Sequence, residues 1–182
     1  MGLDYTAGCV NFRDVGEFVN WLSGEKILPV GKLLRGGTTD FVTDAREIGN
    51  PGTIINLRQG PDRNDFGIPC LHFPLENKVE KYHTERKEVR RWLNEIVKRF
   101  EQEDLRYPVL VHCLSGKDRT GIVIAALLLL AGVPPEIIIQ EYLLSEGTVN
   151  EALMQTALRG MSKPGYFNRV DAGKVKMNLL RG

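Results

Sequence analysis

The stretch that decides the fold is P-V-L-V-H-C-L-S-G-K-D-R-T-G, residues 108–121. Its first part, residues 109–111, is apolar and largely β-branched, which predicts a buried strand. The apolar residues 122–131 follow and predict a buried helix. Between strand and helix, Cys113 precedes Arg119 by six positions. The sequence therefore predicts a short strand-to-helix loop that carries a cysteine and an arginine.

Such a loop is a candidate phosphate site. Backbone N–H groups at a strand–loop–helix junction point toward the positive end of the helix, where a phosphate dianion fits. Gly116 lets the backbone approach the ligand closely, and the planar guanidinium of Arg119 can hold two phosphate oxygens. Helix N-termini and neighbouring cations favour thiolates, so we expect Cys113 to be an ionised nucleophile. Thr120 is predicted to place its hydroxyl near the sulfur, and His112 to brace the loop.

The run H-C-x-x-G-K-x-R-T-G resembles the signature loop of the cysteine-dependent protein tyrosine and dual-specificity phosphatases. K-D-R-T-G is most similar to the bacterial tyrosine phosphatases that also act on phosphoinositides. Three further segments resemble the bacterial group, namely N-F-R-D-V-G (residues 11–16), L-L-R-G-G (33–37) and I-I-N-L-R (54–58). The resemblance covers about residues 8–160. It implies a phosphatase-like domain and hydrolysis of phosphate monoesters through a phosphocysteine, without metal or cofactor.

The expected catalytic residues are Cys113, Arg119 and Asp118. Cys113 attacks phosphorus, while Arg119 and the loop amides stabilise the equatorial oxygens in the transition state. The loop residues expected to bind the substrate are Leu114, Ser115, Gly116, Lys117 and Thr120. Residues expected to buttress or line the pocket are Asn11, Arg13, Asp14, Arg35 and Arg58.

The general acid is the least determined role. Many relatives carry an aspartate after the strand that precedes the long amphipathic helix, but that stretch reads H-F-P-L-E-N here. The D-R-T order resembles phosphoinositide phosphatases in which this aspartate protonates the leaving group, so Asp118 is the predicted acid. Glu76, Asp62 and Asp65 remain alternatives. Simpler interpretations of the loop are that Asp118 caps the following helix and that Lys117 is a solvated lysine.

The expected substrates carry phosphate. The resemblance implies phosphotyrosine proteins first, and phosphoinositides or inositol polyphosphates second. Lys117 favours the second group, because a cation beside Arg119 suits a substrate with an additional phosphate. An alternative of another class is a non-catalytic module that binds phosphorylated ligands, although such modules have usually lost the nucleophile.

Composition and charge bear on the number of domains, the binding partners and the location of the protein. The chain has 182 residues and a net charge of +1, which suits one domain, residues 1–182, and gives no electrostatic footprint for nucleic acid. Three cysteines without tight spacing argue against a disulfide framework, so a cytoplasmic location is expected. The apolar segment is too short for a membrane span, which takes about 20 residues, although transient contact with a lipid surface stays open. The histidines are too scattered for a zinc site.

Cys70 has two interpretations. Its apolar neighbours favour a place in the core, and the alternative is a reversible disulfide with Cys113.

The order of elements predicts the architecture. A strand, a long amphipathic helix, a strand, the loop and an apolar helix indicate an α/β domain with a mostly parallel sheet of four or five strands and helices on both faces. Strands are predicted at residues 10–13, 32–35, 53–57, 70–73 and 109–112. Helices are predicted at 41–48, from the N-cap Thr84 to residue 100, at 122–131, from 135, and at 149–159. The loop and central helix occupy residues 112–132, and the tail, residues 161–182, is expected to pack loosely.

Overall fold

The computed structural model describes residues 2–182, and its centre is a five-stranded sheet. The strand order is β1-β2-β5-β3-β4, and only the pairing of β1 with β2 is antiparallel. The predicted α/β domain with a mostly parallel sheet is confirmed. The strands are β1 (Arg13–Asp14), β2 (Leu33–Gly36), β3 (Thr53–Asn56), β4 (Cys70–His72) and β5 (Val109–His112).

Six α-helices of the described chain contribute to the large hydrophobic cluster on one face of this sheet. The apolar helix α3 packs against helices on several sides, which explains why its sequence has no polar stripe. The helices are α1 (Val15–Ser23), α2 (Lys87–Lys98), α3 (Asp118–Ala131), α4 (Pro135–Leu143), α5 (Glu151–Met161) and α6 (Ala172–Leu180). No helix among residues 2–182 is both long and apolar enough to cross a membrane.

The two faces of the sheet bury different clusters. Val109 and Val111 of β5 face the large cluster that contains the helices, whereas Leu110 faces a smaller cluster. The smaller cluster includes Ile48, from a 3₁₀ helix at Ala45–Ile48. Because both faces are covered, β5 is apolar without alternation, and its carboxyl end can carry the loop that leads into α3.

Three segments differ from the sequence-based expectations. Helix α1 was not predicted; it begins after Asp14, whose side chain accepts the N–H of Glu17. The helix expected at residues 41–48 is only the 3₁₀ helix Ala45–Ile48, because Asp44 caps it by accepting the N–H of Arg46 and so sets its start at Ala45. Helix α2 begins at Lys87 with Arg86 in the N-cap position, instead of the predicted N-cap Thr84.

The tail is more ordered than its sequence suggested. Residues 161–182, expected to pack loosely, contain α6, which lies against α3. Its two buried residues, Val175 and Leu179, are four positions apart and share one face. Asp171 caps the helix by accepting the N–H of Lys174. Two apolar contacts in nine residues were too few for a visible period.

Candidate active site

The loop between β5 and α3 is held from outside by its carbonyl groups. Three successive carbonyl oxygens accept hydrogen bonds from elsewhere in the chain, so each peptide plane is fixed. The donors are the Thr38 N–H to Leu114 O at 2.8 Å, Asn11 Nδ2 to Ser115 O at 2.8 Å and Arg35 Nη2 to Gly116 O at 3.0 Å. With the carbonyl oxygens turned outward, the amides of the same peptides are left for the inside of the loop.

Those amides have no partner within the protein. Among residues 2–182, no acceptor is found for the backbone N–H groups of residues 114–120. Buried N–H groups are rarely left unpaired, and several of them converging at the N-terminus of α3 form an anion site. Cys113, with 2% of its surface exposed, lies at the base of this loop.

Gly116 is required by the shape of the loop. Its φ is +68°, and a Cβ atom would lie 2.4 Å from the backbone carbon of Gly36. A contact below about 3 Å between carbon atoms is a steric clash, and positive φ is itself unfavourable for other residues. The close approach lets β2 support the loop directly.

Arg119 and Thr120 begin α3 with different partners. Arg119 Nη1 donates to Leu57 O at 3.1 Å, at the carboxyl end of β3, which fixes one branch of the guanidinium. The Thr120 hydroxyl donates to Gly36 O at 3.4 Å. This bond attaches the start of α3 to β2, and the predicted place of the hydroxyl near the sulfur stays a prediction.

His112 braces the loop through Asp62. The ring is fully buried, and its Nε2 lies 2.9 Å from Asp62 Oδ2. Asp62 also lies 3.6 Å from Arg58, which forms an ion pair with Asp40 at 2.9 Å. Asp62 thus pairs with His112 and Arg58. Among residues 2–182, no group of three or more His, Cys, Asp or Glu could hold a metal ion.

Asp118 contacts a tyrosine from the loop that precedes α2. Asp118 Oδ1 accepts a hydrogen bond from the Tyr82 hydroxyl at 2.6 Å, and Lys117 Nζ lies 3.7 Å from Oδ2. Burial, followed by the bond to Asp118, raises the pKa of Tyr82 well above its ordinary value, so the hydroxyl remains a donor. Asp118 is the first residue of α3 but makes no capping bond.

The other candidate acids are engaged elsewhere. Glu76 is exposed and forms an ion pair with Lys78 at 2.8 Å. Asp65 Oδ1 accepts the N–H of Gly67 at 2.8 Å, which closes a turn in its own loop.

The two remaining cysteines lack the environment of a nucleophile. Cys9 donates to Gly37 O at 3.5 Å, and burial raises the pKa of its thiol to about 12. Cys70, expected in the core, is instead exposed, because the edge strand β4 turns it away from both clusters. Although the residue is exposed, partial desolvation of its sulfur, followed by the negative charge of the nearby Asp62, raises the pKa of Cys70. Both thiols therefore remain protonated at neutral pH.

Beneath the loop lies a buried charge cluster that the sequence revealed only in part. Glu141 of α4 is 1% exposed and accepts from Arg13 Nε at 2.8 Å and from Arg35 Nη1 at 2.5 Å. Arg13 and Arg35 face each other across β1 and β2, as expected of buttressing residues. Sequence reasoning missed Glu141 and Tyr82, since neither lies near the loop in the chain. A glutamate on the otherwise apolar inner face of α4 was the available signal.

Comparison with known proteins agrees with this geometry. A model described as "Tyrosine phosphatase family" matches residues 5–176. A short segment is 48% identical over 42 residues to the triple specificity protein phosphatase PtpB of Mycobacterium tuberculosis, covering 23% of this chain and 15% of that protein. The match therefore spans only a small part of this curated relative.

Solved structures share the fold at low identity. The catalytic core of Siw14 superposes with a TM-score of 0.62 and 16% identity over 85% of this chain and 93% of that one. A second structure, the core catalytic domain of the PP-IP phosphatase SIW14 from S. cerevisiae, gives a TM-score of 0.55 and 16% identity over 82% and 86%. DUSP15 gives 0.53 and 14% over 82% and 90%. The resemblance seen in the sequence is confirmed.

Proposed function

Since this chain belongs to the tyrosine phosphatase family, we propose that its catalytic residues are Cys113, Arg119 and Asp118. Members of this family are phosphate-monoester hydrolases that act through a phosphocysteine, and this chain is one of them. Cys113 Sγ attacks phosphorus and forms the S–P bond as the bond to the leaving oxygen breaks. Asp118 gives its proton to that oxygen. In the second step water attacks the phosphocysteine, its proton passes to Asp118, and inorganic phosphate leaves.

The observation that carries the proposal is the set of inward-facing amides around Cys113. Residues 114–120 offer unpaired N–H groups, and Arg119 adds a fixed guanidinium. Donors that are already in place stabilise the charge on equatorial phosphate oxygens without reorganisation in the transition state. Release of phosphate from phosphotyrosine peptide, phosphoserine peptide and a phosphoinositide panel, with chelator present, tests the activity and orders the substrates.

Replacing Asp118 by asparagine is expected to slow the first step when the leaving group is poor. General acid catalysis contributes about 10²–10⁴-fold, so kcat on an alkyl phosphate falls by about that factor. The fall on p-nitrophenyl phosphate is small, because its leaving group departs without a proton. Single-turnover phosphate release on both substrates provides the measurement.

Asp65→Asn is the matched control. Asp65 bonds only within its own loop, so the same chemical change there leaves both rates near those of the native protein. Full activity of Asp118→Asn on the alkyl phosphate would assign the acid to another residue.

Phosphotyrosine proteins are the proposed substrates, as the family description suggests, and inositol phosphates are the second candidate. Lys117 favours the second, because its side chain is only 16% exposed and its ammonium lies 3.7 Å from Asp118 Oδ2, at the start of α3. One fold relative is named a PP-IP phosphatase, which is consistent with a cradle of this shape receiving inositol phosphates.

Replacing Lys117 by alanine is expected to lower kcat/KM more on an inositol polyphosphate than on a phosphotyrosine peptide. One hydrogen bond to a charged group supplies about 1.5–3 kcal/mol, so the ratio of the two kcat/KM values shifts by about tenfold or more. Lys117 also lies 3.7 Å from Asp118 Oδ2, and an effect through the general acid would depend on the leaving group. An alkyl phosphate with a single phosphate group is therefore measured beside the polyphosphate, because it shares the alkyl leaving group but lacks the additional phosphate.

Lys78→Ala supplies the comparison, since Lys78 is exposed and ion-paired with Glu76. An unchanged ratio in Lys117→Ala would remove this residue from substrate selection.

We also place the enzyme in the cytoplasm. A reducing compartment favours a catalytic thiolate, and two further cysteines remain as free thiols.

A further inference from the structure

A series of hydrogen bonds connects Asn150, the N-cap residue of α5, to Asp118. The backbone N–H of Asn150 donates to the Tyr142 hydroxyl at 3.2 Å. The hydroxyls of Tyr142 and Tyr82 lie 2.8 Å apart, and Tyr82 reaches Asp118 Oδ1 at 2.6 Å. Tyr82 and Tyr142 are 3% and 1% exposed, so the bond between their hydroxyls is shielded from solvent.

The backbone N–H of Asn150 fixes the direction of the hydrogen bonds in this series. A backbone N–H can only donate, so the Tyr142 oxygen accepts from Asn150 and its own proton is free to go forward. That proton is donated to the Tyr82 oxygen, and the Tyr82 proton is donated to Asp118 Oδ1. Each hydroxyl then accepts one bond and donates one, which satisfies both buried groups.

We propose that Tyr82 is a positioning residue for Asp118: it holds Oδ1 as an acceptor, so that the acid proton is carried on Oδ2. The inference rests on the proposed role of Asp118 as the general acid. It explains why the loop before α2, which lacks an aspartate, still reaches the site, since it supplies the residue that orients the acid.

The bond also strengthens as the reaction proceeds. In the first step Oδ2 loses its proton to the leaving oxygen, and Asp118 becomes a carboxylate. A hydrogen bond to a charged acceptor is about twice as strong as one to a neutral acceptor, so Tyr82 stabilises the transition state more than the ground state. Tyr82 itself transfers no proton. When water attacks the phosphocysteine, Oδ2 takes the proton back.

Tyr82→Phe tests the inference, because phenylalanine keeps the edge-to-face packing on Tyr142, whose ring centroid is 6.3 Å away. We expect kcat on an alkyl phosphate to fall about 10- to 100-fold, the loss that follows from removing a hydrogen bond to a charged group. KM stays nearly unchanged, and p-nitrophenyl phosphate is affected little. In the background of Asp118→Asn, the same substitution has little further effect.

The matched control is Tyr107→Phe. The Tyr107 hydroxyl is buried and has no hydrogen-bond partner among residues 2–182, so its removal leaves both rates unchanged. Tyr142→Phe breaks the series one bond earlier and is expected to give a smaller loss with the same leaving-group dependence, which keeps the test available if Tyr82→Phe folds poorly.

The outcomes separate the two proposals. Equal losses on both leaving groups in Tyr82→Phe would mean a structural role and overturn the inference. Native rates in Tyr82→Phe, with Asp118→Asn still sensitive to the leaving group, would overturn the role of Tyr82 alone. If Asp118→Asn itself is insensitive to the leaving group, the acid has been misassigned and the role of Tyr82 falls with it.

Discussion

Cys113→Ser is expected to abolish turnover while leaving phosphate binding intact. The serine hydroxyl is not ionised at neutral pH. His112 bonds Asp62 through Nε2, and its Nδ1 makes no hydrogen bond to residue 113, so no base is in place to take the serine proton. Removing the nucleophile that an active site activates costs on the order of 10⁴–10⁶ in kcat. The cradle amides and Arg119 do not depend on the sulfur, so inorganic phosphate should bind with similar affinity. Phosphate release and calorimetric titration measure the two properties.

Cys70→Ser provides the control for this substitution. Cys70 is exposed on the edge strand, and its variant should retain activity. Acid quenching of the native enzyme during turnover, followed by mass spectrometry, should find one phosphoryl group on the peptide that contains Cys113. Substantial turnover by Cys113→Ser, or a phosphoryl group on a different residue, would contradict the assigned nucleophile.

The part of the site that could be predicted is the part encoded by consecutive residues. A strand, a turn and a helix N-terminus are local structures, so residues 109–121 predict both their conformation and the direction of the amides. Strand β5 was predicted with its observed bounds, Val109–His112. The loop's glycine follows from the same local argument, because a cradle closed this tightly needs positive φ at Gly116.

Arg13 and Arg35 were expected to buttress the pocket, but the groups they contact could not be predicted, because those groups come from distant parts of the chain. Arg35 and Gly116 are 81 positions apart, and Arg13 and Glu141 are 128 apart. No pattern of period 2 or 3.6 relates such residues, and a charged residue in a sequence is ordinarily read as exposed. Tyr82 was missed for a related reason: the loop before α2 was searched for a carboxylate, whereas it contributes a hydroxyl.

Weak local signals explain the errors in the predicted helices. The apolar face of α6 consists of two residues, below what a periodicity search detects. Threonine is a common N-cap residue, but the Thr84 hydroxyl donates to Ala157 O at 2.8 Å. Tertiary contact thus overrode the cap preference, and α2 starts at Lys87.

Glu141→Gln is expected to destabilise the fold by about 3–5 kcal/mol, the cost of leaving buried charges without their partner. The substitution keeps the shape of the side chain and removes its charge, so two guanidinium groups lose their counter-ion. Burial already lowers the pKa of Arg13 to about 10, with Arg35 acting in the same direction and Glu141 opposing it. Arg35 is fully buried and also holds Gly116 O, so kcat should fall with stability. Urea unfolding followed by tryptophan fluorescence measures the first effect.

The same substitution at an exposed ion pair supplies the control. Glu85 pairs with Lys163, and both side chains are 60% exposed, so Glu85→Gln should change the free energy of unfolding by less than about 1 kcal/mol. A stability of Glu141→Gln within that margin would contradict the argument.

A triple variant then separates stability from positioning. Arg13→Met, Arg35→Met and Glu141→Leu together replace the buried charges by apolar side chains, which can recover most of the stability. The carbonyl of Gly116 would still lack its donor, so the peptide planes of the cradle are no longer held and kcat should remain low. Methionine fills the space of the arginine but cannot donate the hydrogen bond that keeps the loop amides directed at phosphate. Recovery of stability without recovery of kcat therefore assigns to Arg35 a function in the site that its ion pair alone does not explain.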